Sequence, residues 1–555
     1  MSVFIGYPSF MAYQMMKGKK GNNDGFPSVP GMIARYSALG LTNEQMAANP
    51  VWVDKTGNGH DIQLKNFAWK EGSGISDIYP GALVFDGVDD YGVCDNFPIL
   101  TKEKGYTVVA LRQWITRGKG ALGLVSNVKN WLKDGAFLLE YRNIQADHLN
   151  KPISFGAIGS ENDLPHILTY QTSKSYNGVS ITTGNFEGTD VLHVGKLAPT
   201  NVGTCINAAI WELVFLDHDA TEEELTKIKD YFVKTYPWLF PDQAWTVVGK
   251  TNEDEDRATI ANITGNGNNL VLSNFGFAEG SGYGLYAVNF LDSIWVKNTG
   301  LTKISPSSFT IENTIESTQA TVYINTSGKD VILPSFKVNI TGLGNVVWKY
   351  HYIDDAGDRQ SIILQDGVNV LPTSYVSLSA TSTWVGFGTI TGECNITIEQ
   401  IPEYEGYLVT DGVDDRVQDS SFKLNKDWTL VGEWVLLNQK ATNAGITKPF
   451  SFIVYNRTTG LSLFINTGTS GITIENVKSI KAICSDGRIY LDDWSEMLIS
   501  KDQNITSSTS VLSIGFNGTA YTQIAFKNLG IYNNQILSKD DCIKAYNYLQ
   551  TLKAK

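Results

Sequence analysis

The chain writes one phrase twice. Residues 56–74 read TGNGHDIQLKNFAWKEGSG and residues 264–282 read TGNGNNLVLSNFGFAEGSG, 11 identities in 19 positions at an offset of 208. Upstream, YSALGLTNE (36–44) answers WTVVGKTNE (245–253) at an offset of 209. Downstream the spacing jumps. GALVFDGVDD begins at Gly81 and its counterpart GYLVTDGVDD only at Gly406, so the offset becomes 325 and 117 further residues lie inside the second copy. LVFLDHDATEEELTKIKDYF (213–232) then answers LGIYNNQILSKDDCIKAYNYL (529–549) at offsets of 316 to 317. Landmarks kept in one order point to one fold built twice, the later copy split by a guest.

The repeated unit reads as a β-sandwich. QLKNF and VLSNF are short alternating strands that follow a Gly/Asn turn. YTVVALRQWI (106–115) and WTLVGEWVLL (428–437) are longer apolar strands, and AICSDGRIYLDDW (482–494) is a hairpin turning on Asp486-Gly487. Each copy closes with a strand and one helix. Thr221 with Glu224, and Ser538 with Asp541, have capping-box spacing, and Leu225, Ile228 and Phe232 recur at helical spacing. The guest, 283–405, is β-patterned as well. Trp348, Tyr350 and Tyr352 share one face of a strand, and Cys394, Ile396 and Ile398 share a face of another. Its two ends should lie close together, because a host accepts an insertion only where both crossings fit one loop.

At 555 residues the chain has room for about three domains. Gly is high at 52, aromatics are plentiful, and charged residues are only 18%, a mixture that favours sheets joined by tight turns. A net charge of −13, with no basic cluster, would repel a phosphate backbone, so nucleic acid is not an expected partner. Cys94, Cys205, Cys394, Cys484 and Cys542 are scattered, with no CxxC, and read as buried free thiols. Membrane insertion is not expected, since no run approaches eighteen apolar residues. The N-terminal MSVFIGYPSFMAYQMMKGKKGNN places its basic residues after the apolar stretch, unlike a secretory leader, so folding in a reducing cytoplasm is expected.

TGNG, FDGVDDYG, SDGRIYLDD and the closing strand, loop and capped helix resemble the laminin-G-like, or concanavalin A-like, lectin and glucanase superfamily. The resemblance implies an all-β chain: two concanavalin A-like jelly-roll sandwiches in tandem, the second interrupted by a small inserted β-sandwich. The domains expected are an N-terminal anchoring segment at 1–30, a first laminin-G-like sandwich at 31–237 and a linker at 238–244. A second laminin-G-like sandwich follows from 245–282 and 406–555, with the guest at 283–405.

Chemistry is sparse. Asp86, Asp89 and Asp90, and again Asp411, Asp414 and Asp415, gather carboxylates that would suit calcium. Adjacent strand residues point to opposite faces, so a turn is the better reading and calcium the alternative; laminin-G-like relatives that bind calcium do so through separate loops not matched here. The glucanases of the superfamily carry acid and nucleophile on one strand as E-x-D-x-E, which this chain lacks. NEDEDR (252–257) and LDDWSE (491–496) read as a solvated loop and a hairpin end. Trp69, Trp131, Trp348 and Trp494 could stack on sugar rings, although core packing is the commoner duty. No catalytic, cofactor-binding or metal-ligating residue is assigned, no cofactor is expected, and the chain reads as not an enzyme.

KTNEDEDRATIANITGNGNNLVLSNF, with CNITIEQIPEYEG leading into VTDGVDD, resembles virion proteins of crAss-like and other phages of Bacteroidales. That resemblance implies a tail- or head-fibre or other structural protein, assembled in the host cytoplasm into the virion, that displays lectin-like domains to host surface polysaccharide. Residues 1–30 would dock on other virion proteins. A glycan-degrading depolymerase and a purely architectural component are the alternatives, and a homo-oligomer is left open, since no long heptad run argues for a trimer.

Overall fold

The structure is a computed structural model that describes residues 24–101, 103–116, 123–127, 138–139, 168–180, 189–196, 205–297, 301–313, 319–324, 330–376, 385–422, 425–438, 450–455, 462–465, 479–498, 510–515, 521 and 523–554. It is all-β apart from short helices, with three sandwiches of antiparallel sheets.

In the first sandwich the larger sheet is built on Thr107–Thr116 against Asn207–Leu216. Leu168–Thr172, Ser175–Tyr176 and Val179–Ser180 extend it on one side, Ala82–Asp86 and Gly74–Ser76 on the other, and Met32–Ser37 pairs with the far end of Asn207–Leu216. The smaller sheet runs Val51–Trp52, Ile62–Lys65, Tyr91–Cys94, Leu192–Val194, Val125–Ser126 and Leu138–Leu139. Alternation sorts the two faces: Ile62 and Leu64 enter the core while Gln63 and Lys65 face water.

The second sandwich repeats this order strand for strand. Trp428–Asn438 and Gln523–Asn533 form its centre. Ser479–Cys484, Arg488–Leu491 and Glu496–Leu498 lie on one side, Glu403–Val409 and Gly282–Leu285 on the other, and Gln243–Thr246 takes the place of Met32–Ser37. The repeat persists at the level of single atoms. Asn66 Nδ2 donates to the Asp89 carbonyl at 3.0 Å, as Asn274 Nδ2 does to that of Asp414. The Tyr36 hydroxyl donates to the His60 carbonyl, and Trp245 Nε1 to that of Asn268. Helices Glu222–Thr235 and Lys539–Gln550 are capped by Thr221 and Ser538, the first with the full capping box.

The guest has two five-stranded sheets and its own core, in which Phe290, Phe309, Phe336, Trp348, Tyr350 and Phe387 pack together. Where the chain leaves and rejoins the host, Gly282 pairs with Val409, Tyr283 with Leu408 and Leu285 with Glu403. The two crossings are therefore one antiparallel ribbon, and the host sheet reaches residues 283–285 and 403–405, which the sequence assigns to the guest. Just beyond, the Gln400 side chain ties the crossings by accepting from the N–H groups of Ala287 and Val288 and donating to the Val288 carbonyl.

A second buried layer joins the tandem sandwiches. Trp211, Val214, Phe232, Trp238 and Leu239 share it with Val431, Tyr532, Cys542, Tyr548 and Leu549. The Tyr548 ring meets Trp211 edge-on at 6.2 Å, and the Tyr532 hydroxyl donates to the Trp238 carbonyl at 2.9 Å. Residues 238–244 thus form a packed joint, with Trp238, Leu239 and Ala244 buried. Residues 1–23 of the N-terminal segment lie outside the described residues. Asp24 and Phe26, placed by sequence in the same segment, pack on the first sandwich: Asp24 pairs with Arg35 at 2.7 Å and the Phe26 ring meets Tyr231 edge-on at 4.7 Å.

Candidate functional site

Among the described residues, three of the places that bring polar chemistry together are candidate sites. The first is the DGVDD turn, present twice. Oxygens of Asp86, Asp89 and Asp90 lie within 4.8 Å of one another, as do those of Asp411, Asp414 and Asp415. In each turn two of the carboxylate oxygens are engaged by backbone, while Asp90 Oδ1 and Asp415 Oδ1 are buried with no hydrogen-bond partner among the described residues. Asp86 Oδ1 accepts from the N–H groups of Val88 (2.8 Å), Asp89 (3.3 Å) and Asp90 (3.4 Å), and Asp90 Oδ2 accepts from Asp86 N at 3.0 Å. Asp411 and Asp415 repeat the pattern, with Asp411 N donating to Asp415 Oδ2 at 2.7 Å. Gly87 and Gly412 supply the positive φ the turn needs, 79° and 71°. These carboxylates therefore hold the turn closed.

Burial pushes the Asp90 carboxyl up to about 6 and that of Asp415 up to about 7, against the pull of the backbone N–H groups and of Ser73 and Ser281. Both values lie above that of an unfolded aspartate, about 3.9, so the folded state binds these protons more tightly. Their stabilising contribution is full below about pH 4 and is lost as pH rises through 6 to 7. Asp90→Asn and Asp415→Asn are expected to gain stability relative to the native chain as pH rises from 5 to 8. Thermal melts across that range check this, and parallel pH profiles would refute it. A calcium-dependent rise of the native midpoint that both variants lack would instead assign the turns to a cation.

The second place is the outer face of the first sandwich's smaller sheet. His193 lies between Val93 and Ser126 on that face, 2% exposed, with neither ring nitrogen hydrogen-bonded among the described residues. Burial pushes its imidazole down to about 4, so it is neutral at pH 7. Tyr91, on the same face, carries the Lys196 ammonium 4.7 Å above its ring.

The third is a trough of about 250 Å³ on the guest, lined by Tyr323, His351, Arg359, Gly386, Gly388 and Thr389 among others. Sequence reasoning passed over it. The available signal was Gly-Phe-Gly (386–388) inside an apolar strand, two missing side chains flanking one that points into the core.

The tryptophans named as conceivable sugar platforms take the commoner duty, packing, where the structure describes them. Trp348 is 1% exposed and donates from Nε1 to the Gly388 carbonyl at 2.6 Å, so it belongs to the guest core and forms no platform. Trp69 is half-buried and stacks on Phe67 at 5.0 Å, and half-buried Trp494 meets Tyr546 edge-on at 5.6 Å. Trp131 lies outside the described residues. In NEDEDR, Asp254 caps Thr251 N at 2.9 Å and Asp256 pairs with Lys250 at 2.5 Å; in LDDWSE, Asp493 caps Ser495 N at 2.8 Å. Both acidic runs hold turns. The buried pair Arg35–Glu212 was not singled out by sequence, although an Arg in MIARYS and a Glu in NAAIWELVFL are charges inside apolar strands.

Fold and sites together define a tandem β-sandwich protein with a guest sandwich. No known protein family matches the chain, and no curated protein does. Among solved structures, Trypanosoma rangeli sialidase in complex with 2,3-difluorosialic acid matches at 12% identity and TM-score 0.25, covering 40% of this chain and 38% of the sialidase. The same sialidase with the inhibitor DANA matches at 15% and TM-score 0.24, covering 40% and 39%. This chain thus spans well under half of those proteins. The expectation that it is not an enzyme is corrected here, because the structures it matches are enzymes. At this level the likeness assigns no activity or substrate to the chain.

Proposed function

We propose that the chain is a structural and adhesion protein of a bacteriophage particle that presents its sandwiches to host surface glycans. One observation carries the reading. The two repeated sandwiches share a buried layer with their closing helices on the outer side of their larger sheets, which leaves the outer faces of both smaller sheets pointing away from it. In the first sandwich that face is open at Gln63, Lys65, Tyr91 and Val93 and closed at His193, and in the second it carries Val271, Ser273, Arg416 and Gln418. Several sheet faces on one chain, multiplied over a particle, reach useful avidity from weak individual sites. The resemblance of the repeats to Bacteroidales phage virion proteins supplies the setting, and residues 1–23 supply a segment to dock on neighbouring virion proteins.

Mass spectrometry of purified particles, together with binding of the intact chain to host capsular polysaccharide, tests this. The chain should be a stoichiometric particle component and should bind the polysaccharide. Deleting 1–22 leaves Asp24 and Phe26 on the first sandwich and should abolish incorporation without moving the melting temperature. Absence from particles, or normal incorporation of the deletion, would overturn the corresponding part. Release of reducing ends from the bound polysaccharide would make it a depolymerase.

A further inference from the structure

We propose that the guest sandwich carries a binding site for a carboxylated pyranose, a uronic-acid unit of a polysaccharide, in the trough between Tyr323 and His351 with Arg359 at one end. The inference rests on the glycan-binding reading above and deepens it by naming a site and a ligand class.

The trough is built by register. Tyr323 pairs with Gly386, Gly386 with His351, and His351 with Ser361, so these four residues form one row across four strands. Their neighbours Val322, Phe387, Tyr350 and Ile362 turn to the guest core, which sends the row outward. Strands lie about 4.8 Å apart, so Tyr323 and His351 stand roughly 10 Å apart across a position that has no side chain. That gap is the width of a sugar ring. The floor is kept bare by sterics. A Cβ on Gly388 would lie 3.2 Å from His351 Nε2 and 3.1 Å from the Lys349 carbonyl, and one on Gly386 would lie 2.6 Å from the Val322 carbonyl.

Its chemistry is cationic in a chain of net charge −13. The Arg359 guanidinium is exposed and makes no hydrogen bond or ion pair among the described residues. Nearby Asp354 is engaged in its own turn, accepting from Ala356 N, Asp358 N and Gln360 Nε2. Burial, together with the charges of Arg359 and Lys349, lowers His351, which leaves its imidazole neutral and able both to donate and to accept. A guanidinium fork matches a carboxylate in two parallel hydrogen bonds. The imidazole and the Thr389 hydroxyl suit ring hydroxyls, and the Tyr323 ring can cover an apolar pyranose face. A simple anion needs only the cation; the length of the trough and its aromatic wall call for a ring as well.

Isothermal titration of the intact chain with a defined oligogalacturonate, a neutral malto-oligosaccharide and inorganic phosphate tests the site. The oligogalacturonate should bind, the neutral sugar more weakly, and phosphate should not displace it. Arg359→Glu should weaken oligogalacturonate binding about tenfold or more, whereas Arg359→Lys should retain most of it. Tyr323→Ala should weaken it as well. Circular-dichroism melts verify that these variants fold. Unchanged binding by Arg359→Glu, or equal competition by phosphate, would overturn the proposal. Should host polysaccharide still bind the intact Arg359→Glu and Tyr323→Ala variants as tightly as the native chain, this site falls while glycan display stands. Oligogalacturonate binding through Arg359 in a chain absent from particles would leave the site standing and remove the virion reading.

Discussion

Replacing Glu212 by Asn is expected to cost the first sandwich about 3–5 kcal/mol, because it strips a buried guanidinium of its main counter-charge. Arg35 Nε and Nη2 each reach a Glu212 oxygen at 3.1 Å, Nη2 also donates to the Tyr231 hydroxyl at 2.9 Å, and Nη1 reaches Asp24 at 2.7 Å. The Tyr236 hydroxyl donates to Glu212 at 2.7 Å. Burial pushes the Glu212 carboxyl up and the paired guanidinium opposes it. The second sandwich holds the same register without the charges. Ser37 opposite Glu212 corresponds to Thr246 opposite Asn528, and Ala244 stands where the first copy has Arg35. The double variant Arg35→Ala/Glu212→Asn installs the second copy's pair, and should recover much of what the single change loses. Denaturant unfolding of the four proteins reads this cycle. A double variant as unstable as the single one would show that the first sandwich needs the ion pair for more than charge balance.

Trp238→Ala is the second large effect. Trp238 lies in the short turn Pro237–Leu239, 2% exposed, with its ring edge-on to Tyr236 at 5.5 Å and the Lys544 ammonium 4.3 Å above it. Removing a buried indole costs about 3–5 kcal/mol through lost burial and the cavity left behind. Here the cavity opens in the layer both sandwiches share, so the loss falls on their coupling as well. The native chain should melt its tandem sandwiches in one transition, with the guest, which has a separate core, free to melt apart. Calorimetry of the variant should resolve the tandem transition into two. An unsplit transition at the native temperature would mean that Trp238 contributes little to the joint.

Much of this was legible in the sequence. The hairpin at Asp486-Gly487, the capped closing helices and the strands around QLKNF and VLSNF stand where pattern and turn chemistry put them. The closeness of the guest's two ends followed from the requirement that an insertion fit one loop. Trp348 takes the core duty that is commoner for a tryptophan: period-two alternation gives it a face, and the facing sheet of the guest makes that face the inner one. The trough was invisible, since its four lining strands come from residues 319 to 391 and meet only through pairing.

Sequence by itself determined that one sandwich is built twice and where the second is split, because strand alternation, turn glycines and helix caps act over a few residues and recur in order. Tertiary structure alone decided that the two copies share a buried helical layer, that Arg35 meets Glu212 across 177 positions, and that two glycines leave a cationic trough on the guest. Those features depend on which strands become neighbours, and neighbours in a sheet are chosen by burial over the whole chain.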